Sequence, residues 1–477
     1  MKKALFFVLA AFIFFLVYLV TNALLISSRQ LKVPQAEFIQ PDAEAVLNLS
    51  KAVQFKTISH QGVRTDTSAF LSFHTFLECT FPKAHAALKK EKFGLSLLYI
   101  WEGKDPSLKP ILLMAHQDVV PEEGEWEIPA FEGNTDNEFI HGRGTLDDKS
   151  GILGILQATE YLIEKNFRPE RTIYFAFGHD EETGGKSGNA QIAEDLQKRN
   201  IRFEYVLDEG GSIINRIMPG IDKPLAVVGI AEKGYTSVEL TVESEGGHSS
   251  MPPANTAIGI LSKAISRLEE KPFRGRIRGA TEKLFQYSGP EMGFGNRIVF
   301  ANYRILSPII KKVMSGKNST NASIRTTMAA TVIEGGVKEN VLPTRAKAIV
   351  NLRTLPGDSL TFILDHLEKT IKDDRVKLKV LPNHSDPTPV SSTEAESFVK
   401  IQTTIHEVFP EALVSPYLVL ATTDSKHYIK LTDNTYRFLP LLLEKSDLER
   451  IHGKDERISI DNYKRLINFY IRLLEKN

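Results

Sequence analysis

Residues 111–118 read ILLMAHQD: five consecutive apolar side chains, then His116, Gln117 and Asp118. A continuous apolar run of this length suits a strand buried on both faces. Two further runs share the design. TIYFAF (residues 172–177) leads into Asp180, Glu181 and Glu182, and YVL (residues 205–207) leads into Asp208 and Glu209. Between the first two runs, Ile152, Ile155, Leu156, Leu162 and Ile163 recur at helical spacing. Buried strands alternating with amphipathic helices predict an α/β domain on a mostly parallel sheet. A helix N-capped by Asp42, with Ala45, Val46, Leu49 and Val53 on one face, is expected to open it.

From about Glu232 the pattern changes. TSVELTVES (236–244) and RAKAIVNLR (345–353) alternate apolar and polar residues, as half-buried strands do. Helices are expected over 257–269 and 360–371, and a strand over 376–381. Strand, helix, two strands, helix and strand make an α+β, ferredoxin-like unit. Its middle, residues 271–325, is polar, basic and poorly periodic, and yields no assignment. After about Pro382 the α/β character returns, with helices expected over 394–408 and 461–475 and strands near 418–420 and over 436–442. The expected organisation is an N-terminal transmembrane helix (1–27), a catalytic domain in two parts (28–231 and 382–477) and an inserted lid or dimerisation domain (232–381).

The 477 residues are 42% hydrophobic and 25% charged, a globular composition. Lys+Arg at 59 balances Asp+Glu at 59, which is not the footprint of a nucleic-acid binder. A single cysteine, Cys79, excludes an intrachain disulfide and a CxxC zinc site. The N-terminal run ALFFVLAAFIFFLVYLVTNALLI (4–26) follows Lys2 and Lys3. About 20 apolar residues span a bilayer core, and lysines on the short side favour a cytoplasmic N-terminus. No clear A-x-A cleavage site follows, so a signal anchor holding the catalytic domain outside the cytosol is preferred over secretion after cleavage.

The polar residues of interest sit where the apolar runs end. A fourth segment, GRGTLDDK (142–149), opens the helix at Ile152. Ligands of parallel sheets bind beyond the carboxyl ends of the strands. Carboxylates gathered there repel one another and lose ionisation, and metal ions are the natural counter-charge. Imidazole and carboxylate without thiolate suit zinc, and also manganese or cobalt. His116 and Asp118, two apart on an extended segment, face one side, so Asp118 is expected to accept the proton of the second ring nitrogen. A lone H-x-D is commonly a surface pair and a D-E-E run a solvated helix start; convergence at strand ends is the signal.

HQDVVP (116–121), GRGTLDDKSG (142–151), DEETGG (180–185), LDEGG (207–211), GGHSSMPP (246–253) and HGKDERI (452–458), in this order, resemble the motifs of the di-zinc aminoacylase/carboxypeptidase family. EKGYTSVELTVES (232–244) and TTDSKHY (422–428) resemble its carboxypeptidase S and N-fatty-acyl-amino-acid synthase/hydrolase branch. The resemblance implies two zinc ions. His116 matches a ligand of one, Asp147 the bridging carboxylate with Asp148 as alternative, Glu182 and Asp208 one ligand on each, and His452 the last. Glu181 matches the general base and Asp118 the carboxylate supporting His116. His248 matches a lid histidine that reaches an active site, often across a homodimer, to hold the oxyanion. The substrate implied is a small peptide or N-acyl-amino acid with a free α-carboxylate, for which Arg353, Asn340, Thr423 and Asp424 are candidate anchors. Arg353 also reads as a surface arginine at a strand end, and Asn340 as a turn residue. Hydrolysis is the leading expectation, and a reversible N-fatty-acyl-amino-acid synthase/hydrolase the alternative. A catalytically inactive binding or scaffold relative is the different-class alternative; such relatives lose a ligand or the base, and none is missing here.

Overall fold

A computed structural model describes residues 1–60, 62 and 65–477. The Ile111–His116 strand runs parallel to Ile173–Gly178 on one side and to Val206–Asp208 on the other. These are the three apolar runs, and they form the centre of a ten-stranded sheet. Because they are parallel, His116, Asp180–Glu182 and Asp208 emerge at one edge. Thr435–Arg437 extends the parallel centre beside Val206–Asp208.

The sheet is mixed rather than mostly parallel. On one margin Lys89–Phe93 and Ser96–Trp101 form an antiparallel hairpin, the latter strand antiparallel to Ile173–Gly178. Its two-residue loop begins with Gly94 at φ 60°, the left-handed backbone that such tight turns need. A hairpin needs no crossover helix, so it is compatible with an otherwise βαβ sequence. On the other margin Leu225–Glu232 lies antiparallel to Thr435–Arg437 and Ile213–Ile214, and parallel to Leu413–Val419.

One face of the sheet is covered by the helices Lys149–Glu164 and Ile460–Glu475, which pack on each other. Tyr463, Leu466, Ile467, Tyr470, Leu473 and Leu474 make the buried stripe of the second helix. Gly154 permits the close approach: a Cβ there would sit 2.0 Å from Leu466 Cδ2. Ala43–Val53 joins this layer, and Asp42 caps it by accepting from the Glu44 amide, as expected.

The expected second unit forms a separate antiparallel sheet in the order Thr327–Gly335, Arg345–Thr354, Gly234–Glu243, Val376–Val380. Helices Ala257–Glu270 and Leu360–Ile371 cover one face and enclose a core of its own. Along Arg345–Thr354 every second residue, from Ala346 to Thr354, is buried. In chain order this unit runs strand, helix, two strands, helix and strand.

Apart from Phe273, which packs in that small core, residues 271–325 lie outside it. They contain helices Ala280–Ser288, Phe294–Ala301, Ser307–Met314 and Asn318–Ile324. The first packs against Leu413–Val419 and Leu225–Glu232 of the large sheet, and Ala280 and Tyr287 join the main core. The expected span 232–381 is therefore not one packing unit. Helices of about two turns are too short for periodicity to betray them.

The Lys2–Leu25 helix is long and apolar enough to cross a membrane; only Leu19 and Ala23 are buried. The segment after it is held down: Gln30 exchanges two hydrogen bonds with the Val414 backbone, and Asn468 brackets the Ile39 backbone.

Replacing Gly154 by Val should force the two covering helices apart and lower stability by about 1–3 kcal/mol. Urea unfolding measures this; an unchanged midpoint would contradict the close helix contact.

Candidate metal centre

His116 closes its strand, 2% exposed. Its Nδ1–H donates to the Asp118 backbone carbonyl at 2.9 Å, and its Nε2 lies 2.8 Å from Asp147 Oδ1. The other Asp147 oxygen, Oδ2, lies 2.9 Å from His452 Nε2, which is also 3.3 Å from Glu182 Oε2. One carboxylate thus stands between two imidazoles brought together from positions 116 and 452. Ligand atoms of His116, Asp147 and Glu182 all fall within 4.8 Å of one another and could hold a metal ion.

Asp148 points elsewhere. Its carboxylate lies over Gly151, where a Cβ would meet Oδ1 at 2.4 Å. Asp208 is buried at the end of its strand, and its Oδ2 accepts from the Ser425 amide at 2.8 Å. It makes no hydrogen bond to the other four expected ligands among the described residues. Behind it, Ser425 Oγ meets Thr423 Oγ1 and Arg437 Nε, and Arg437 pairs with Glu232 at 3.1 Å with both side chains fully buried.

Asp118 lies beside His116 and also holds the neighbouring turn. Its carboxylate Oδ1 is 3.5 Å from His116 Nδ1, and the backbone carbonyl takes the hydrogen bond instead. The carboxylate oxygens accept the amides of Glu181 and Glu182, each at 3.1 Å, and the Ser59 hydroxyl at 2.6 Å. The amides that open the Glu181–Thr183 turn have no acceptor within the turn, and the Asp118 carboxylate supplies one to each. Asp118 therefore orients Glu181 and Glu182 directly.

The electrostatics favour a bound cation. Burial, then the Asp424, Glu209 and Glu182 charges, pushes Glu181 well above the usual carboxylate range despite His116. Burial likewise pushes up Asp148 and Glu209, with Asp147 and Asp208 adding to both. Asp147 and Glu182 hold His452 up to about 10. Burial pulls His116 down, but Asp118 and Asp147 outweigh it and hold it well above its ordinary value. Both Asp148 oxygens and Glu182 Oε1 are buried without a hydrogen-bond partner. The Asp147 carboxylate and the orphaned Glu182 oxygen beside two imidazoles are the donor set that a borderline divalent cation takes. The nearest buried amine, Lys149, does not serve: its Nζ donates to the Ala52 and Phe55 carbonyls, and burial pulls it down to about 7.

Glu456, Glu209 and Ser59 are functional neighbours to which sequence reasoning gave no role. Glu456 is fully buried; its Oε1 accepts the amides of Gly144, Leu146 and Asp147 at 3.0, 2.7 and 3.3 Å. Its Oε2 takes Arg143 at 2.7 Å, and that guanidinium also bonds the carbonyls of His452 and Gly453. The loop carrying Asp147 is thereby tied to the loop carrying His452, whose backbone is held at φ 59°. Its place four residues after His452 in HGKDERI was the available signal.

The other expected residues are scattered. His248 is exposed on the small sheet pair Gly247–His248 with Val341–Leu342, and its ring bonds Ser250. Arg353 is half-buried over the Tyr235 ring at 4.8 Å and makes no ion pair among the described residues. Asn340 is exposed in a loop. Thr423 and Asp424 are not open to substrate: Thr423 donates its amide and hydroxyl to Glu232, and Asp424 accepts from Asn189 at 2.6 Å. Burial pushes Asp424 up to about 7. Both brace the strand ends from behind.

The chain is 44% identical to the probable carboxypeptidase S-like 2 of Dictyostelium discoideum, covering 96% of this chain and 91% of that one. It is 40% identical to the N-fatty-acyl-amino acid synthase/hydrolase PM20D1 of Xenopus tropicalis, over 90% and 85%. In fold it is similar to the M20 family metallo-carboxypeptidase Sso-CP2 of Sulfolobus solfataricus, with a TM-score of 0.67, 19% identity and coverage of 91% and 99%. Residues 112–476, which hold all five expected metal ligands, match the profile of Peptidase family M20/M25/M40, and the chain belongs to that family.

Proposed function

We propose that the protein is a two-zinc hydrolase that cleaves an amide bond next to a free α-carboxylate, in peptides or N-acyl-amino acids. The observation that carries this reading is the Asp147 carboxylate between His116 and His452, one oxygen toward each. That placement supports Asp147, not Asp148, as the bridging ligand, with His116 and His452 on different ions. Glu182 and Asp208 complete the set. Zinc, or manganese or cobalt, would supply Lewis acidity and an acidified water at this position.

Glu181 has the properties of the general base. It is beside the ligands, oriented through its amide by Asp118, and held in a setting that favours taking up a proton. It takes the proton of the attacking water and returns it to the leaving nitrogen. Arg353, half-buried and without a carboxylate partner among the described residues, is the anchor for the substrate's α-carboxylate. The small domain serves as a lid and dimer surface. The exposure of His248 supports its acting on the oxyanion in a second subunit's site rather than its own. Asn340, on the loop whose carbonyl accepts from the Ser249 amide, lies beside that histidine's strand. The name of the Xenopus relative favours N-fatty-acyl-amino acids as substrates, in synthesis as well as hydrolysis, since a base that returns its proton serves both directions. The Lys2–Leu25 helix acts as a signal anchor with the catalytic domain outside the cytosol.

Glu181→Gln should retain its metal by elemental analysis and lose turnover by about 100-fold or more; near-normal turnover would remove Glu181 as the base. Glu456→Gln should weaken zinc binding about 10–100-fold in competition with a chelator, because it loosens the loops of both Asp147 and His452. Arg353→Met should raise KM about 10–100-fold for a substrate with a free α-carboxylate and leave its C-terminal amide unaffected. Equal effects on both substrates would assign Arg353 a structural role.

A further inference from the structure

The helices Phe294–Ala301 and Ser307–Met314, with the turn between them, present outward apolar side chains that no other part of the described residues covers. Phe294, Ile305, Ile309 and Val313 are 52%, 46%, 63% and 71% exposed. Ile309 and Val313 are four apart on Ser307–Met314, so they line one side, and Ile305 lies exposed in the turn just before that helix, while Ile310 is buried and Leu306 and Met314 pack with it inward against Leu284 and Phe285. An inward stripe suffices to hold such a helix in place; the outward row needs another explanation.

The same segment is one-sided in charge. From Met292 to Arg325 there are six Lys and Arg residues and no Asp or Glu, in a chain whose net charge is zero. Lys311, Lys312 and Lys317 make no ion pair among the described residues. Apolar side chains flanked by unpaired lysines are the composition of an element lying in a membrane interface.

Its position agrees. Phe294–Ala301 packs along the C-terminal end of the Lys2–Leu25 helix. Asn302 Nδ2 donates to the Leu19 carbonyl at 2.9 Å, Asn22 Nδ2 to Asn302 Oδ1 at 2.8 Å, and Arg297 to the Ile26 carbonyl at 2.6 Å. Residues 1–18 are exposed, and docking begins at Leu19. The exposed helical part is about 25 Å long at ~1.5 Å per residue, close to the ~30 Å of a hydrocarbon core. The bilayer surface therefore falls where the anchor meets these helices.

We infer that residues 294–317 rest on the lipid surface, with Phe294, Ile305, Ile309 and Val313 in the headgroup and upper acyl region and Lys311, Lys312 and Lys317 on lipid phosphates. The inference rests on the anchor reading of Lys2–Leu25 and adds to it a fixed orientation of the catalytic domain. A tether alone leaves the domain free to tumble, whereas this second contact holds one face against the bilayer.

The test uses the full chain in phosphatidylcholine vesicles containing phosphatidylglycerol, with Cys79→Ser as background. An environment-sensitive fluorophore is placed at Ile309→Cys, Val313→Cys, Phe12→Cys or Val337→Cys. Val337, 95% exposed on the small domain, is the aqueous control. The expected result is a blue shift at 309 and 313 and severalfold stronger quenching by nitroxide-bearing lipids than at 337, with 12 quenched most. If 12 is quenched while 309 and 313 match 337, the anchor stands and the surface contact is overturned. If 309 and 313 shift to the blue without lipid quenching, a second protein copy covers them and the proposal is overturned. If 12 is not quenched, the anchor reading fails and the proposal falls with it.

Discussion

A carboxylate held between two imidazoles is the constraint around which this protein is built. Asp147 sits 2.8 Å from His116 and 2.9 Å from His452, residues separated by most of the chain. Such a contact exists only if a central strand end, the start of a helix and a C-terminal loop meet at one point. Parallel pairing delivers the first, the helix Lys149–Glu164 the second, and Glu456 with Arg143 secures the third. The acids outnumber the positive groups beside them, so the arrangement is incomplete as a set of protein charges and favours a cation.

Buried polar networks hold this centre from three sides. Glu456 gathers three amides beneath Asp147, Asp118 gathers two beneath Glu181 and Glu182, and the Glu232–Arg437 pair stands behind Asp208 through Ser425. Each network places charge in a low-dielectric interior, where an unpaired group is strongly unfavourable. These bonds fix the backbone of Asp147, Glu181 and Glu182 and one oxygen of Asp208, as a metal site asks of its supporting residues.

The central strands, the alternating small sheet and the capped helices were legible because their patterns are local and long. ILLMA, TIYFAF and RAKAIVNLR each declare burial by period alone. The hairpin that makes the sheet mixed and the short helices within 271–325 were not legible. The first hairpin strand, KKEKF, is polar, the second, SLLYIW, is apolar but nothing in its composition gives its antiparallel pairing, and the helices offer only about two turns of signal. The same brevity hid the fact that Ala280–Ser288 packs on the large sheet instead of the small one.

The sequence by itself determined which chemistry was available: imidazoles and carboxylates, no thiol pair, and acids placed directly after apolar strands. It also determined the order of motifs on which membership of the family rests. Only the tertiary structure decided which of Asp147 and Asp148 faces both histidines, that Asp118 holds two amides as well as lying beside an imidazole, and that Thr423 and Asp424 brace the site from inside. Adjacent side chains in one motif point in different directions, and direction is set by what packs behind each of them. That information lies in contacts between distant segments and not in any single stretch of the chain.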